Sequence, residues 1–127
     1  MSGEISAKIA EIIREIGMSD PHVKGVVLSS SADAIPIKYY TSETSDEIVK
    51  DLTNRLVIAY STFRMAATKI AKDQKIDNIT LNMEREFVIL KPIKNKYLLV
   101  VRGDKQANMG LIQIMIKKLA EELEHYL

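Results

Sequence analysis

The residues able to do chemistry are few, and their spacing is uninformative for catalysis. Ser29-Ser30-Ser31 offers hydroxyls but lacks the flanking glycines of a strained nucleophile turn and has no histidine base beside it; turn-forming hydrogen bonds are the expected use of these side chains. The two histidines, His22 and His125, stand far apart without any ligand pattern, so no metal site is expected and each is read as a surface or boundary residue. Glu84 and Glu86 are close enough to act as paired carboxylates, but they fall in a polar hairpin where solvation is the plainer role. No two glycines have the spacing of a phosphate-cradling G-x-x-x-x-G-K-[ST] loop, and neither G-x-G-x-x-G nor G-x-S-x-G occurs. The chain is therefore expected to have no catalytic residues, no cofactor and no metal, and not to be an enzyme. Lys91, Lys94 and Lys96 form a small basic cluster around one turn, suited either to solvation or to steering an acidic partner or anionic lipid heads.

The composition narrows the remaining classes. The chain has 127 residues, 46% hydrophobic and 28% charged, enough for one core and too apolar for disorder. Its net charge of +1 and its lack of tryptophan argue against a nucleic-acid binder, whose affinity comes largely from phosphate neutralisation. Cysteine is absent, which removes disulfides and thiolate chemistry and makes the reducing cytoplasm the expected location. The apolar runs are too short to span a bilayer, and Met1–Gly17 lacks the uninterrupted apolar core of a signal peptide. Direct membrane insertion is not expected.

The hydrophobic pattern predicts the elements that must position any functional surface. A helix is expected from Glu4 to Ile16, with Ile5, Ile9, Ile12, Ile13 and Ile16 on one face and Gly17 as a left-handed stop. Strands are expected at Val23–Ser29, where Gly25 would allow a bulge, and at Ile35–Tyr40, joined by a turn at Ser30–Asp33. A long second helix follows. Its capping box has Thr44 as N-cap with Glu47 reaching back, and it should end near Lys72 or Asp73. Three strands come next, Ile79–Met83, Glu86–Lys91 and Lys96–Arg102. Pro92–Asn95 is the turn between the last two, and Gly103-Asp104 ends the third. The run Tyr97-Leu98-Leu99-Val100-Val101 fits a central strand covered on both faces. A last helix spans Asn108 to Tyr126, with Ile112, Met115, Ile116, Leu119, Leu123 and Tyr126 on its buried face. The expected class is α/β (α+β): order α-β-β-α-β-β-β-α, a five-stranded antiparallel sheet with helices on both faces, residues 1–127 forming a single domain.

The second helix is the most informative segment. On a wheel of ~100° per residue, Ile48, Leu52, Leu56, Ala59, Phe63, Ala66 and Ile70 form the main apolar arc, extended by Val49, Tyr60 and Ala67. Ile58 and Met65 stand almost opposite, with Ser61 and Thr62 toward the same second side. A single sheet face cannot cover both sides, so another subunit is expected to cover the second one; isolated exposed apolar residues are the alternative. The strand Ile79–Met83, with Thr80 and Asn82 on its other face, could pair across a twofold axis if it lies on an edge. The expected dimer interface is thus Ile58, Ser61, Thr62, Met65, Ile79, Thr80, Leu81 and Asn82.

Three stretches resemble the roadblock family, which includes the roadblock-type dynein light chains and their bacterial and archaeal relatives. They are Val23-Lys24-Gly25-Val26-Val27-Leu28-Ser29-Ser30 with Ala34-Ile35-Pro36-Ile37; Ile79-Thr80-Leu81-Asn82-Met83 leading to Phe87-Val88-Ile89 and Tyr97–Val101; and Ala107-Asn108-Met109-Gly110-Leu111-Ile112 continuing to Leu123. The last is similar to the prokaryotic branch with its C-terminal helix. Two positions depart from the pattern: Asp33-Ala34, where relatives usually have Asp-Gly, and Gln113, where they often have arginine. The resemblance implies homodimers or heterodimers with long helices packed together and third strands paired. It also implies a platform for small Ras-like GTPases that in some members accelerates hydrolysis and in others links cargo or assembles complexes. A donated arginine would come from Arg14, Arg55, Arg64, Arg85 or Arg102, of which Arg85 in its loop is the most available; the favoured alternative is that binding positions the partner's own switch loops. Arg85, Lys94 and Lys96 are the candidate partner contacts. A homodimeric GTPase-regulating platform is the leading expectation, with a structural adaptor lacking a GTPase and a small-ligand sensor as alternatives.

Overall fold

The computed structural model describes residues 3–42 and 45–127. The elements follow the expected order: α1 (Gly3–Met18), β1 (Val23–Ser30), β2 (Pro36–Thr41), α2 (Asp46–Ile70), β3 (Ile79–Asn82), β4 (Glu86–Ile93), β5 (Tyr97–Asp104) and α3 (Met109–Glu124). All strand pairs are antiparallel, and the sheet order is β2-β1-β5-β4-β3. β5 pairs on both sides, and Leu98, Leu99, Val100 and Val101 are all buried. Alternation sends Leu99 and Val101 to the α1/α3 face with Ile9, Ile13, Val26, Phe87, Ile89 and Leu119. It sends Leu98 and Val100 to the α2 face with Leu56, Val57, Tyr60, Val88 and Leu90. The helices thus form two layers enclosing the sheet, two on one face and one on the other.

Several boundaries move for local physical reasons. α1 continues through Gly17 to Met18, and among the described residues no glycine has positive φ. Gly17 is a close-packing glycine rather than a left-handed stop: a Cβ there would lie 2.2 Å from Cδ1 of Tyr40. β5 likewise runs through Gly103, where a Cβ would meet the His22 carbonyl at 2.5 Å and the Phe87 ring at 2.8 Å. β4 extends through Pro92 to the buried Ile93, which pairs with Tyr97, so the hairpin loop is Lys94-Asn95-Lys96; Lys94 and Asn95 hold positive φ (55° and 58°), and Lys96 N–H closes the turn on the Ile93 carbonyl at 3.2 Å. Ser30–Asp33 turns the chain as expected, and the residue after it, Ala34, holds φ 58°. The glycine-type geometry is therefore kept without glycine, at a cost of roughly 1–2 kcal/mol. The bulge expected from Gly25 is present as a register shift between Val23 and Gly25 against β5. β2 starts at Pro36 rather than Ile35, which is exposed.

α2 begins at Asp46 after Ser45, whose side chain makes no capping bond; the expected N-cap Thr44 lies outside the described residues. The helix stops at Ile70, short of Lys72. Its sheet-facing residues are Val49, Thr53, Leu56, Val57 and Tyr60: Leu56 of the predicted main arc and Val49 and Tyr60 of its extension face the sheet, with Leu52 packed beside them, whereas Ile48, Phe63, Ala66 and Ile70 are exposed. The arc was read over the whole helix, whereas the sheet supports it only as far as Tyr60. α3 is capped by the Asn108 side chain, which accepts from the Leu111 N–H at 3.1 Å, and it buries Ile112, Ile116, Leu119 and Leu123 as expected.

Candidate interaction surface

From Ser61 to Ile70, α2 has no buried residue. Twenty-five residues make a helix about 37 Å long, and the last ten project beyond the sheet. On the side turned away from the sheet, Ile58 is 59% and Met65 70% exposed, while Phe63 (51%) and Ile70 (85%) add apolar surface along one flank. Ser61, Arg64, Met65 and Thr68 line a shallow groove on the helix surface, into which the ridge of another helix could pack. Both threonine hydroxyls on this side are already occupied: Thr62 Oγ1 donates to the Ile58 carbonyl at 3.3 Å and Thr68 Oγ1 to the Arg64 carbonyl at 3.0 Å. Covering them would strand no donor, so the face is less polar than its composition suggests.

β3 is a sheet edge, as the twofold pairing idea requires. Its register on β4 runs from Ile79–Leu90 to Asn82–Phe87, and Met83 N–H donates to the Glu86 carbonyl at 2.9 Å. Because antiparallel ladders alternate, that bond directs the backbone groups of Leu81 and Ile79 to β4 and those of Thr80 and Asn82 off the edge. Ile79 and Leu81 turn their side chains to the α2 layer and are half-buried. Met83, expected to end the strand's buried face, lies past it and is exposed. Thr80 faces α3, where its hydroxyl meets Gln113 Nε2 at 3.5 Å; this neutral contact occupies the position where relatives often carry arginine. By the same alternation, Glu86, Val88 and Leu90 direct their backbone groups toward β3. Pro92 is next in that series and lies past the last pair, so its missing N–H leaves no gap in the ladder.

The expected interface residues therefore divide between two neighbouring features, the outer side of α2 and the β3 edge. The candidate partner contacts do not form one site. Arg85 sits in the tight β3–β4 turn, its carbonyl accepting from Lys105 N–H at 3.0 Å and its side chain free of ion pairs among the described residues. Lys94 and Lys96 lie at the opposite end of β4, where Lys94 Nζ donates to the Leu127 carbonyl at 2.6 Å. Lys91 leaves the basic cluster altogether: its ammonium binds the Asp77 carboxylate at 3.0 Å and carbonyl at 3.1 Å, and holds that carboxyl below its usual range. Of the arginines, Arg55 is tied to Asp51 and Arg102 to Glu86, which is thereby paired rather than merely solvated.

One polar cluster had no signature in the sequence. Asp20, nearly buried, accepts from His22 N–H at 2.8 Å and Asn108 N–H at 3.0 Å, and its carboxyl is lowered first by the Asn108 donor and then by that of His22. His22 Nδ1 meets the Asp104 carboxylate at 3.1 Å, so it is a half-buried paired group rather than a surface residue. These contacts latch the α1–β1 loop to the β5–α3 loop and fix the start of α3. A second expectation concerned space for a ligand between sheet and helix. The cleft beneath α2, lined by Gly25, Val27, Val49, Leu52, Leu56 and Val100 among others, measures about 20 Å3, room for a water and little else, whereas an open cleft between α3 and the β4 side of the sheet, lined by Asp77, Lys91, Gln113, Lys117 and Glu121 among others, measures about 540 Å3.

No protein-family model matches the chain, and no curated protein does. Solved structures do. A roadblock/LC7 domain from Streptomyces avermitilis superposes with a TM-score of 0.83 at 13% identity, covering 92% of this chain and 95% of that one. MglB from Myxococcus xanthus gives 0.82 at 19% identity over 98% and 91%. The gliding protein MglB from Thermus thermophilus gives 0.85 at 14% identity over 99% and 93%. The chain has the roadblock fold.

Proposed function

We propose, from the premise of a roadblock fold, that residues 1–127 act as one non-catalytic domain that pairs with a second copy of itself and serves as a platform binding and regulating a small Ras-like GTPase. The observation that carries self-association is the outer side of α2, with Ile58 and Met65 exposed beside an unpaired β3 edge. Full burial of one such side chain contributes about 1.5–3 kcal/mol, and a twofold axis uses each twice. Thr80 and Asn82 of both copies add a short ladder whose bonds contribute about 1 kcal/mol each. One MglB structure is a tetrameric arrangement, which accords with a fold that offers more than one contact surface.

The GTPase part of the reading follows from the fold's resemblance. It accords with a surface lacking catalytic groupings yet rich in exposed apolar residues on α2. Arg85 is available as a donated cation, although positioning of the partner's switch loops needs no such group. An adaptor without a GTPase would use the same self-association surface; a ligand sensor would have to use the open cleft beside α3, since the one beneath α2 holds about 20 Å3. The chain should run at twice 14.3 kDa in solution. Ile58→Asp and Met65→Asp should each reduce it to a folded monomer, because a carboxylate buried at the contact is costly. Dimer mass unchanged in both variants refutes the interface. GTP hydrolysis or nucleotide exchange by a copurifying Ras-like protein, measured with and without the dimer, separates regulator from adaptor.

A further inference from the structure

Five exposed lysines collect at one end of the molecule. The β4–β5 turn carries Lys94 and Lys96 to the end of the sheet where β3 begins. The C-terminal end of α2, and the segment returning from it to β3, bring Lys69, Lys72 and Lys75 to the same end. Ile70, 85% exposed, stands between Lys69 and Lys72 on the part of the helix that projects past the sheet. The acidic side chains nearest in the fold are Asp33 in the β1–β2 turn, Asp73 among the lysines, Glu124 at the end of α3, and Asp77, which Lys91 neutralises. With a net charge of +1 over the whole chain, this is a concentration of cations rather than an overall excess.

The form of this end distinguishes its partner. Ile70 is 85% exposed at the very end of α2, so it can enter a deformable phase without needing a shaped protein pocket. Its cations are lysines, flexible point charges that match diffuse negative charge, rather than arginines in the fixed forks that read carboxylates on a folded surface. Juxtaposed lysines and an exposed aliphatic side chain are what peripheral attachment to acidic headgroups uses, each lysine adding attraction and the apolar side chain entering the acyl boundary.

We propose that this lysine end docks peripherally on an anionic lipid bilayer, with Lys69, Lys72, Lys75, Lys94 and Lys96 at the headgroups and Ile70 at the acyl boundary, without spanning it. The contact uses neither Ile58, Met65 nor the β3 edge, so it stands apart from the self-association reading. Cosedimentation of the full chain with vesicles of phosphatidylcholine alone, or with roughly one third phosphatidylserine, tests it. Binding should be at least roughly tenfold stronger to the anionic vesicles and should fall steeply between ~0.05 and ~0.5 M salt. The combined Lys69→Glu, Lys72→Glu, Lys75→Glu variant should lose it while keeping the wild-type melting curve and molecular mass, and Ile70→Ser should weaken it severalfold. Ile58→Asp should bind vesicles whether or not it remains paired. Equal binding to both vesicle types, no binding at low salt, or wild-type binding by a folded triple variant overturns the proposal. So does loss of a protein partner by the triple variant in the absence of any vesicle binding, which would make an acidic protein the occupant.

Discussion

The Tyr40 ring packs against Gly17 of α1, and the packing of that helix on β2 depends on this contact. Gly17→Ala would gain about 1 kcal/mol of helix propensity, but its methyl group would have to displace a ring packed against the core. Overpacking of this kind costs roughly 1–3 kcal/mol, so a net loss of up to about 2 kcal/mol in urea-monitored stability is expected, and a stabilised variant would show that the ring moves freely. Asp20 is the second residue whose role lies in backbone contacts. Its folded carboxyl is held below its unfolded value, so its stabilisation is complete above the ordinary carboxyl range near pH ~3.9 and is lost as pH falls through the lower folded value. Asp20→Asn should lower the urea midpoint at neutral pH and flatten its decline in acid; an unchanged acid slope would mean the latch contributes nothing. Neither role was legible in the sequence. Gly17 before Ser19-Asp20-Pro21 has the local form of a helix stop, and only the distant Tyr40 reveals its other use. The donors to Asp20 lie both next door and at Asn108, a separation that local patterns do not encode.

At the scale of elements, periodicity carried nearly all the information. Strict alternation in Ile79–Met83 and the apolar run Tyr97–Val101 identified an edge-type and a central strand because burial on one face or two leaves different patterns. The contrast with α2 is instructive. Its apolar residues spread over more than half of the wheel, and a wheel cannot say which sector meets the sheet when a polar Thr53 takes a core position and the last ten residues leave the sheet behind. The second side at Ile58 and Met65 survived this ambiguity because it lies far from either choice of buried sector. β3 supplies its own test. Thr80 N–H points off the sheet edge, so Thr80→Pro removes no backbone bond within the chain, only the long 3.5 Å contact between its hydroxyl and Gln113. It should weaken self-association at least severalfold by sedimentation, with a change in melting temperature of only a few degrees. Leu81→Pro, which removes a bond to β4, should unfold the hairpin. Equal damage from both would place the ladder elsewhere.

For the molecule as a whole, the sheet and its three helices satisfy their own core, and α2 carries more of the exposed large apolar side chains than any other element: Ile48, Ile58, Phe63, Met65 and Ile70. That distribution makes association a matter of concentration: dilution should convert the pair to monomers without unfolding, and the aspartate substitutions at Ile58 and Met65 should mimic dilution.

Pro92 sets a limit on such assembly. With no donor beyond Leu90 on one side and the tight turn after Met83 on the other, β3 cannot lengthen in either direction. A strand that joins it finds four residues and then nothing more to zip onto. Backbone recognition at this edge is therefore a fixed, small increment, too weak to hold strangers or to seed fibres, and selectivity falls to whatever side chains the incoming molecule can lay along the neighbouring helix.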